Sequence, residues 1–328
     1  MESASMMNQI RIPVLNQKKI RAGFIDVKKD ARNMEQTAEH IGTLAYHALL
    51  EEVYTTPKPG LVDLATTGAH TDMDVHTFER SAAALCPWFV RMALEGETFQ
   101  GTPRELFRKI RTYGIAAEQK MYRATGGVNT HKGLVFTLGI FCAAAGRLIK
   151  EGKRITVREL VYMEQLMTAE ILKEEILHLV SPSDAEDQTE GFQTNGIKNL
   201  QAYGTAGIRG EALLGYPSVT EAALPVLQQG KKEGRDWNLV KLQVLMTLMS
   251  QVQDSNILSR TCPEVLKNVH KEAKMFLDAG GAYQKDAVQI LLQMDRSFIQ
   301  RNISAGGCAD ILATAVFLDS LVEEGEEA

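Results

Sequence analysis

Apolar residues recur along most of the chain at the spacing of an α-helix. From Asn33 onward they return every three or four positions, which places them on one face of a helix. The two clearest faces consist of Phe78, Ala82, Leu85, Phe89 and Met92, and of Leu134, Leu138, Phe141, Ala145 and Leu148. Beyond residue 32 no segment shows the two-residue alternation of a half-buried strand. The pattern therefore predicts an all-α protein.

Polar residues mark where several of these helices begin. Thr102 precedes Pro103 and Glu105, which is the order of a capping box with proline in the first helical turn. The same three-residue spacing occurs at Asn33 and Gln36 and at Thr156 and Glu159. These local signals predict helix starts independently of the apolar pattern.

Two segments interrupt the helical pattern. Residues 1–32 contain short β-tolerant stretches, and we interpret them as an appendage of unknown role, either an irregular arm or a β-hairpin. Residues 181–196 are polar and acidic, which predicts a surface loop. Chemistry-bearing motifs lie on both sides of that loop. We therefore predict one all-α catalytic domain over residues 33–328, with a central cleft.

Composition narrows the class of protein. The 328 residues are 45% hydrophobic and 23% charged, with a net charge of −5, so a sizeable core is expected and duplex nucleic acid is not an expected partner. The 4 cysteines lie far apart, which excludes paired-cysteine zinc or redox motifs. No apolar run has transmembrane length and no signal-peptide core is present. We expect a cytoplasmic protein with no membrane partner.

The first reactive segment runs from Thr56 to Asp74. Lys58 lies between two prolines, which restrict its backbone. Asp63 and Asp72 offer the carboxylate oxygens that Mg²⁺ takes beside substrate phosphates, and His70 could act as a general base or contact phosphate. A solvated lysine in a helix-terminating loop is the ordinary alternative. For Asp74 we prefer the ordinary interpretation, an N-cap of the next helix.

The second reactive segment runs from Ala124 to Gly133. Paired glycines let backbone amides approach a ligand closely, and a helix start just beyond them favours an anion. Lys132 in the first turn opposes the helix dipole, a conflict that a bound phosphate would remove. Asn129 either caps this helix or binds ligand. The segment is not a Walker A loop, because its spacing differs and no strand precedes it.

Three later segments combine charge with glycine or a helix start. They read GIRGEALLGYP from Gly207, DSNILSR from Asp254 and NISAGGCADILA from Asn302. Asp254 is a further metal candidate. A surface ion pair and ordinary helix caps are the alternatives for these segments.

In this order and at these spacings, the five segments resemble the triphosphoribosyl-dephospho-CoA synthase family, over about Ala45 to Leu318. The chain departs from the family pattern at Arg260, which is followed by Thr261 and Cys262 where the family commonly has two glycines. Asn195 stands where the family often has histidine, and Cys308 replaces a commoner serine.

The resemblance implies a reaction in which ATP and 3′-dephospho-CoA give 2′-(5″-triphosphoribosyl)-3′-dephospho-CoA and adenine. This product is a prosthetic-group precursor for the acyl carrier protein of citrate lyase or malonate decarboxylase, and a carrier-protein-modifying transferase would receive it. In this family the product has an α linkage and is formed from a β-nucleoside, which implies inversion at the anomeric carbon. Inversion in turn implies a single displacement through an oxocarbenium-like state. A homodimer is one assembly that the sequence leaves open.

The resemblance also implies roles for individual residues. The general base is expected among His70, His131 and Glu211. Substrate and phosphate contacts are expected from Lys58, Thr125, Gly126, Gly127, Asn129, Lys132, Arg209, Asn256, Arg260, Ser304, Gly306 and Gly307. Ligands for Mg²⁺ bound with ATP are expected among Asp63, Asp72, Glu118, Asp254 and Asp310.

Two other functions fit parts of the pattern. A metal-dependent phosphohydrolase could use the same carboxylates on an all-α scaffold, but no histidine is followed by aspartate, as the His-Asp class of these enzymes requires. A non-catalytic regulator that binds nucleotide or CoA would keep the basic and glycine-rich contacts, and it would have no need of several carboxylates.

Overall fold

A computed structural model describes residues 31–180 and 207–326. Within these ranges the chain forms twelve α-helices and no strand, which confirms the predicted all-α fold. The helices are α1 (Ala31–Tyr54), α2 (Val75–Thr98), α3 (Pro103–Ala124), α4 (Lys132–Lys150), α5 (Val157–Val180), α6 (Gly207–Leu213), α7 (Leu224–Lys232), α8 (Trp237–Met249), α9 (Ser255–Arg260), α10 (Pro263–Asp278), α11 (Ala287–Gln300) and α12 (Gly306–Glu326). A π-helical segment (Ser218–Ala223) leads directly into α7, and a short 3₁₀ turn (Gly281–Tyr283) lies between α10 and α11. The predicted arm and acidic loop lie outside the described residues.

Local side-chain caps start several helices where the sequence indicated. Thr102 and Glu105 form the predicted capping box of α3, and the hydroxyl of Thr156 accepts a hydrogen bond from the amide of Glu159. Asp74 caps α2, as the ordinary interpretation of that residue required. The predicted start at Asn33 is wrong, because α1 already begins at Ala31.

The core is organised around α4, which packs against α2, α3, α5 and α12. Side chains are buried on all sides of this helix, from Leu134 to Leu148. The closest crossing is with α2, where a Cβ added at Gly96 or Gly146 would overlap a backbone carbonyl of the other helix. Glycine at these two positions therefore lets the helix backbones touch.

Helix α4 corrects the expectation that no apolar run has transmembrane length. This helix has 19 residues and a mean hydropathy of 1.5, so by length and composition alone it could cross a membrane. However, 72% of its apolar window is buried inside the protein. The apolar run is explained by the position of α4 as the central core helix, surrounded by other helices instead of lipid.

Helix α11, which the sequence analysis did not single out, anchors the loop before α2. Its buried Asp295 accepts hydrogen bonds from the amide of Gly60, at 2.8 Å, and from the hydroxyl of Thr66, at 3.2 Å. Burial raises the pKa of Asp295, and these two donors oppose that rise. The first reactive segment is therefore held from a helix more than two hundred residues away in the chain.

A second buried carboxyl lies within the core, away from that loop. Glu164 on α5 is fully buried and accepts one hydrogen bond, 2.6 Å from the hydroxyl of Thr168. Its Oε2 atom has no partner among the described residues. Burial raises the pKa of Glu164 to about 8, so the side chain is protonated at neutral pH.

Glu164 should make the stability of the protein depend on pH. Between pH 4.5 and about 8 the folded state keeps a proton on Glu164 that the unfolded chain releases. The free energy of unfolding should therefore fall by about 1.4 kcal/mol per pH unit in this window. We expect Glu164→Gln to remove this component, so that the variant gains stability over the wild type as the pH rises toward 8.

Urea denaturation of both proteins at pH 5.5 and pH 8 measures the effect. Glu170→Gln, on the same helix but with a 73% exposed side chain, is the matched control and should follow the wild type. An equal pH dependence for Glu164→Gln and the wild type would contradict the assignment.

Candidate active site

One cavity of about 850 Å³ lies where the five reactive segments meet. Its walls come from α1, α3, α4, α6, α9 and α12 and from the loop before α2. The central cleft predicted from the sequence therefore exists, and segments distant in the chain line it.

Most of the sequence-predicted residues line this cavity. They are Lys58, His70, Glu118, Asn129, His131, Lys132, Arg209, Glu211, Asp254, Asn256, Arg260, Ser304, Gly306, Gly307 and Asp310. Five predicted residues do not line it, namely Asp63, Asp72, Thr125, Gly126 and Gly127. Whether a residue lines the cavity does not by itself assign a role to it, in either of these two sets.

Asp63 supports the loop instead of facing the cavity. It is buried, and its two carboxylate oxygens accept backbone N–H bonds from Lys58 at 2.7 Å, Ala65 at 2.7 Å and Thr66 at 2.9 Å. Because both oxygens are engaged by the loop itself, the structure does not offer Asp63 to a metal ion.

The paired glycines end a helix and do not approach the cavity. Thr125 is the C-cap of α3, and its hydroxyl also donates to the carbonyl oxygen of Val128 at 2.6 Å. Gly126 and Gly127 have φ values of 70° and 96°, and the amide of Gly127 donates to the carbonyl of Tyr122. Glycine is needed here for a left-handed helix-terminating turn. Neither glycine lines the cavity, so their contact with a substrate stays a prediction.

Asn129 contacts the first residue of α4, but the N-cap of this helix is His131 and makes no side-chain cap hydrogen bond. The side-chain oxygen of Asn129 accepts a hydrogen bond from the amide of Lys132 at 3.2 Å, at the start of α4. Lys132 in turn forms an ion pair with Glu118, with 3.1 Å between the charged atoms. Both charged side chains are partly exposed at the edge of the cavity. This pair relieves the conflict between the Lys132 charge and the helix dipole.

His70 faces the cavity beside Ser304. Its Nε2 atom lies 2.9 Å from the Ser304 hydroxyl, and its Nδ1 atom lies 3.9 Å from Asp72. Asp72 itself is 60% exposed and outside the cavity. Burial and then the positive charge of Arg260 lower the pKa of His70 below 6.5. His70 is therefore unprotonated at neutral pH, the state that a general base requires.

Arg260 joins two loops at the edge of the cavity. Its guanidinium donates to the backbone carbonyls of Ala69 and Asn302 and to the Asn302 side chain. These contacts hold the His70 loop against the segment that carries Ser304. The guanidinium of Arg260 is thus hydrogen-bonded within the protein, although Arg260 lines the cavity.

His131 is buried in the cavity wall at the start of α4. Its Nδ1 atom lies 2.7 Å from the hydroxyl of Ser81, and its ring stands edge-on to Phe78 at a centroid distance of 5.0 Å. Its Nε2 atom has no hydrogen-bond partner among the described residues. Burial and then the charge of Lys58 lower the pKa of His131 to about 3. The imidazole is therefore neutral in the whole physiological range.

The buried positive charge of Lys58 is balanced by Glu52, a residue that was not predicted from the sequence. The ammonium group of Lys58 forms a buried ion pair with Glu52 on α1 and also donates to the backbone carbonyl of Glu52 at 2.8 Å. Glu52 lies on the cavity wall beside Lys58. Glu52 lies three and four positions after Leu49 and Ala48, on the buried face of α1, so its place in the apolar pattern is the sequence signal that could have found it.

Three carboxylates approach one another on this wall. Loss of water contact, followed by the charges of Glu52 and Asp254, raises the pKa of Asp310 well above its usual value of 3.8. No hydrogen-bond donor among the described residues contributes to holding Asp310 in its ionised form. A Cβ added at Gly133 would overlap the Asp310 carboxylate. Glycine at position 133 therefore leaves the space that Asp310 occupies.

Asp254 connects the starts of two helices. Its Oδ1 accepts amide hydrogen bonds from Asn256 and Ile257 at 2.8 and 3.2 Å, and its Oδ2 accepts one from Cys308 at 2.8 Å. Burial raises the pKa of Asp254, and these backbone donors oppose the rise.

Gly306 and Gly307 make this approach sterically feasible. An added Cβ would lie 2.9 Å from the Asn256 side-chain nitrogen or 3.0 Å from an Asp254 carboxylate oxygen, respectively. Glycine is thus required here for close packing between the starts of α9 and α12.

On the opposite side of the cavity, α6 provides Arg209 and Glu211. Arg209 lies 3.8 Å from Glu175 and is partly exposed. Glu211 accepts hydrogen bonds from the Ser218 hydroxyl at 2.6 Å and the Ser218 amide at 3.1 Å. Arg209 can therefore exchange its protein partner for an anionic ligand more readily than the buried Lys58.

The carboxylates do not form a closed metal site. Among the described residues no group of three or more His, Cys, Asp or Glu side chains is arranged to hold a metal ion. Magnesium is usually held by only one or two protein carboxylates together with substrate phosphates. Asp310, unsupported by donors and close to two other carboxylates, has the chemistry to accept such a cation.

Comparison with known proteins gives a consistent set of relatives. A model of the family described as ATP:dephospho-CoA triphosphoribosyl transferase matches residues 38–328. A 2-(5''-triphosphoribosyl)-3'-dephosphocoenzyme-A synthase of Pectobacterium atrosepticum is 40% identical over 268 residues, which is 81% of this chain and 84% of the relative. The synthase of that name from Klebsiella pneumoniae is 37% identical over 285 residues, or 87% and 91% of the two chains. The one from Escherichia fergusonii is 35% identical over 282 residues, or 86% and 90%. No solved structure matches this chain.

The geometry of Asp63 predicts a loss of stability when it is replaced. Asp63→Ala leaves the buried amide of Lys58 and the part-buried amides of Ala65 and Thr66 without their acceptor, so we expect the free energy of unfolding to fall by about 2 kcal/mol or more. The exposed Asp72→Ala should change it by less than about 0.5 kcal/mol. Urea denaturation of the two variants tests this. Wild-type stability of Asp63→Ala combined with lost metal binding would instead support the metal role.

Proposed function

This chain belongs to the ATP:dephospho-CoA triphosphoribosyl transferase family, and we propose that the triphosphoribosyl transfer takes place in the cavity of about 850 Å³ described above. The reaction moves the triphosphoribosyl group of ATP to the 2′-hydroxyl of 3′-dephospho-CoA and releases adenine. The observation that carries the proposal is the convergence of cationic and carboxylate side chains from all five segments on one cavity. Binding two substrates side by side there could lower the barrier by about 7–11 kcal/mol in the most favourable case.

Lys132 and Arg209 are proposed to bind the triphosphate. Both are partly exposed at the cavity edge, and each has one carboxylate partner within the described ranges, Glu118 for Lys132 and Glu175 for Arg209. A triphosphate carries more negative charge than either partner, so it can displace them. The amides at the start of α4 add a favourable field at the same edge. Lys58 is buried against Glu52 and would act over distance, through its charge.

Mg²⁺ carried in with ATP is proposed to bind Asp310. A divalent cation would favour the ionised carboxylate, whose pKa is otherwise raised by burial, Glu52 and Asp254. Such an ion supplies charge neutralisation for the triphosphate. Glu118 at the edge can become a second ligand if Lys132 moves to phosphate. Asp254 contributes negative charge nearby, although its oxygens already accept three backbone amides.

His70 is proposed as the general base for the 2′-hydroxyl. It is neutral at neutral pH and it faces the cavity, and the partner of its Nε2 atom among the described residues is the exchangeable hydroxyl of Ser304. His131 is a much weaker base, because its pKa is about 3. Glu211 is held by Ser218 and is proposed instead to provide negative charge near the anomeric carbon as positive charge develops there.

The cellular context follows from the product. A triphosphoribosyl-dephospho-CoA has to be joined to a protein, so a transferase that modifies an acyl carrier protein is the proposed consumer. We place the protein in the cytoplasm, where ATP and dephospho-CoA are available. A homodimer also remains a proposal. Tyr162 and Leu166, 52% and 46% exposed on one face of α5, provide apolar surface for it.

The space at Gly133 gives a test of the Asp310 role. Gly133→Ala should displace the Asp310 carboxylate and, like Asp310→Asn, raise the Mg²⁺ concentration for half-maximal activity by at least about 10-fold. Calorimetric titration of Mg²⁺ with ATP bound should show the same weakening. Gly114→Ala is the matched control, because no heavy atom lies within 4 Å of its added Cβ. Unchanged magnesium dependence in both site variants would contradict the role of Asp310.

The pH dependence of adenine release tests His70. A base with a pKa lowered below 6.5 should hold kcat/KM constant at neutral pH and let it fall only in a more acidic range. His70→Ala should lose about 10²–10⁴-fold in kcat and also lose this acidic limb. Glu211→Gln should keep the limb. If the limb disappears in Glu211→Gln and persists in His70→Ala, Glu211 is the base.

A further inference from the structure

His131 carries a polar atom that the folded protein leaves without a partner. The side chain is 1% exposed and lies on the cavity wall, and its buried Nε2 atom has no hydrogen bond within the described part of the chain. A buried polar atom left unpaired costs about 1–3 kcal/mol. Such a cost at a cavity wall indicates an atom reserved for a ligand.

The other ring nitrogen is held by a short relay of hydroxyl groups. Thr130 donates its hydroxyl to Ser81 Oγ at 2.7 Å, and Ser81 Oγ lies 2.7 Å from His131 Nδ1. Ser81 is fully buried on α2. The Ser81 hydroxyl accepts from Thr130, and His131 Nδ1 is the one acceptor within its reach among the described residues, so the arrangement that satisfies the buried Ser81 proton is donation to Nδ1. The imidazole proton then lies on Nε2, which makes the unpaired atom a donor.

We propose that Ser81 is a positioning residue that fixes this tautomer, so that His131 Nε2–H donates a hydrogen bond to a ring nitrogen of the departing adenine. The proposal rests on the proposed function, since it concerns the leaving group of that reaction. Neither residue acts as an acid or base in it.

The surroundings of His131 suit a purine better than a phosphate. Phe78 stands edge-on to the imidazole and also lines the cavity, as do Tyr122 and Phe136. The exposed cations that suit the triphosphate, Lys132 and Arg209, lie at the edge instead. Burial and then the charge of Lys58 lower the pKa of the imidazole to about 3, so it donates as a neutral group and adds no further positive charge beside Lys58.

The donor acts on charge that appears only during the reaction. The bond between C1″ and adenine N9 breaks with its electron pair moving to the purine, while the 2′-oxygen forms its bond to C1″. The 2′-hydroxyl proton goes to His70 and is finally carried by water to adenine. Negative charge on the departing ring spreads to N3 and N7, where a fixed donor stabilises it. Removing one such donor typically costs about 10²–10³-fold in kcat.

Substrate analogues identify the acceptor atom. Adenine or deaza-adenine release should be followed in wild type and His131→Ala with ATP, 3-deaza-ATP and 7-deaza-ATP. We expect His131→Ala to lower kcat with ATP by about 100-fold and KM by little. With the analogue that lacks the contacted nitrogen, the same substitution should have almost no further effect. Equal losses with all three nucleotides, or a raised KM with unchanged kcat, would overturn the proposal and indicate a phosphate contact.

The role of Ser81 needs a second readout. Ser81→Ala and the nearly isosteric Thr130→Val should each lower kcat by about 10-fold, less than His131→Ala, because the ring is kept and only its tautomer is freed. Thr137→Val is the matched control, since it removes a buried hydroxyl of α4 outside the cavity. It should keep wild-type kcat.

Nitrogen-15 NMR of histidine-labelled protein measures the tautomer directly. The wild type should show the His131 proton on Nε2, and Ser81→Ala and Thr130→Val should show a mixture. A wild-type proton on Nδ1 would overturn the proposal even if adenine is released normally. Conversely, absence of any adenine release with ATP would reject the proposed function while the NMR result on Ser81 still stood. If Ser81→Ala fails to fold, Thr130→Val supplies the test.

Discussion

Charged groups buried at the centre of this protein must be compensated, and that requirement shapes the whole cavity region. Lys58 is paired with Glu52, while Asp63, Asp254 and Asp295 accept backbone amides or a hydroxyl from loops and helix starts. Each of these bonds joins parts of the chain that the apolar core alone would not hold together. The loop before α2, α11 and the starts of α9 and α12 are therefore positioned by buried carboxylates.

The same principle separates supporting residues from those available to a substrate. Asp63 and Asp254 have both carboxylate oxygens engaged, so the protein satisfies them without a ligand. Within the described residues, Asp310 instead lies near other carboxylates without a donor, and one buried nitrogen of His131 is unpaired. Incomplete compensation is costly in a folded protein. The proposed mechanism therefore assigns these two residues to metal and substrate.

The sequence predicted the helices and several of their N-terminal caps well. The helical period, the capping box at Thr102 and the N-cap at Asp74 depend on residues a few positions apart, so they can be recognised without knowing the fold. The five segments could be expected to share one cavity because of the family resemblance. The roles within them could not all be predicted. Gly126 and Gly127 serve a left-handed turn, although the same pair could have approached a phosphate.

Residues that act across the fold gave only a partial sequence signal. Glu52, Ser81 and Asp295 are polar residues at positions of the buried apolar faces, which marks them as unusual, and only the packing of α1, α2 and α11 shows what they contact. The central claim, that this cavity exchanges the purine of ATP for an alcohol, is tested most directly by chromatography of ATP, Mg²⁺ and protein with and without 3′-dephospho-CoA. The account predicts free adenine, without free phosphate, only when 3′-dephospho-CoA is present. Release of phosphate, or of neither product, would contradict it.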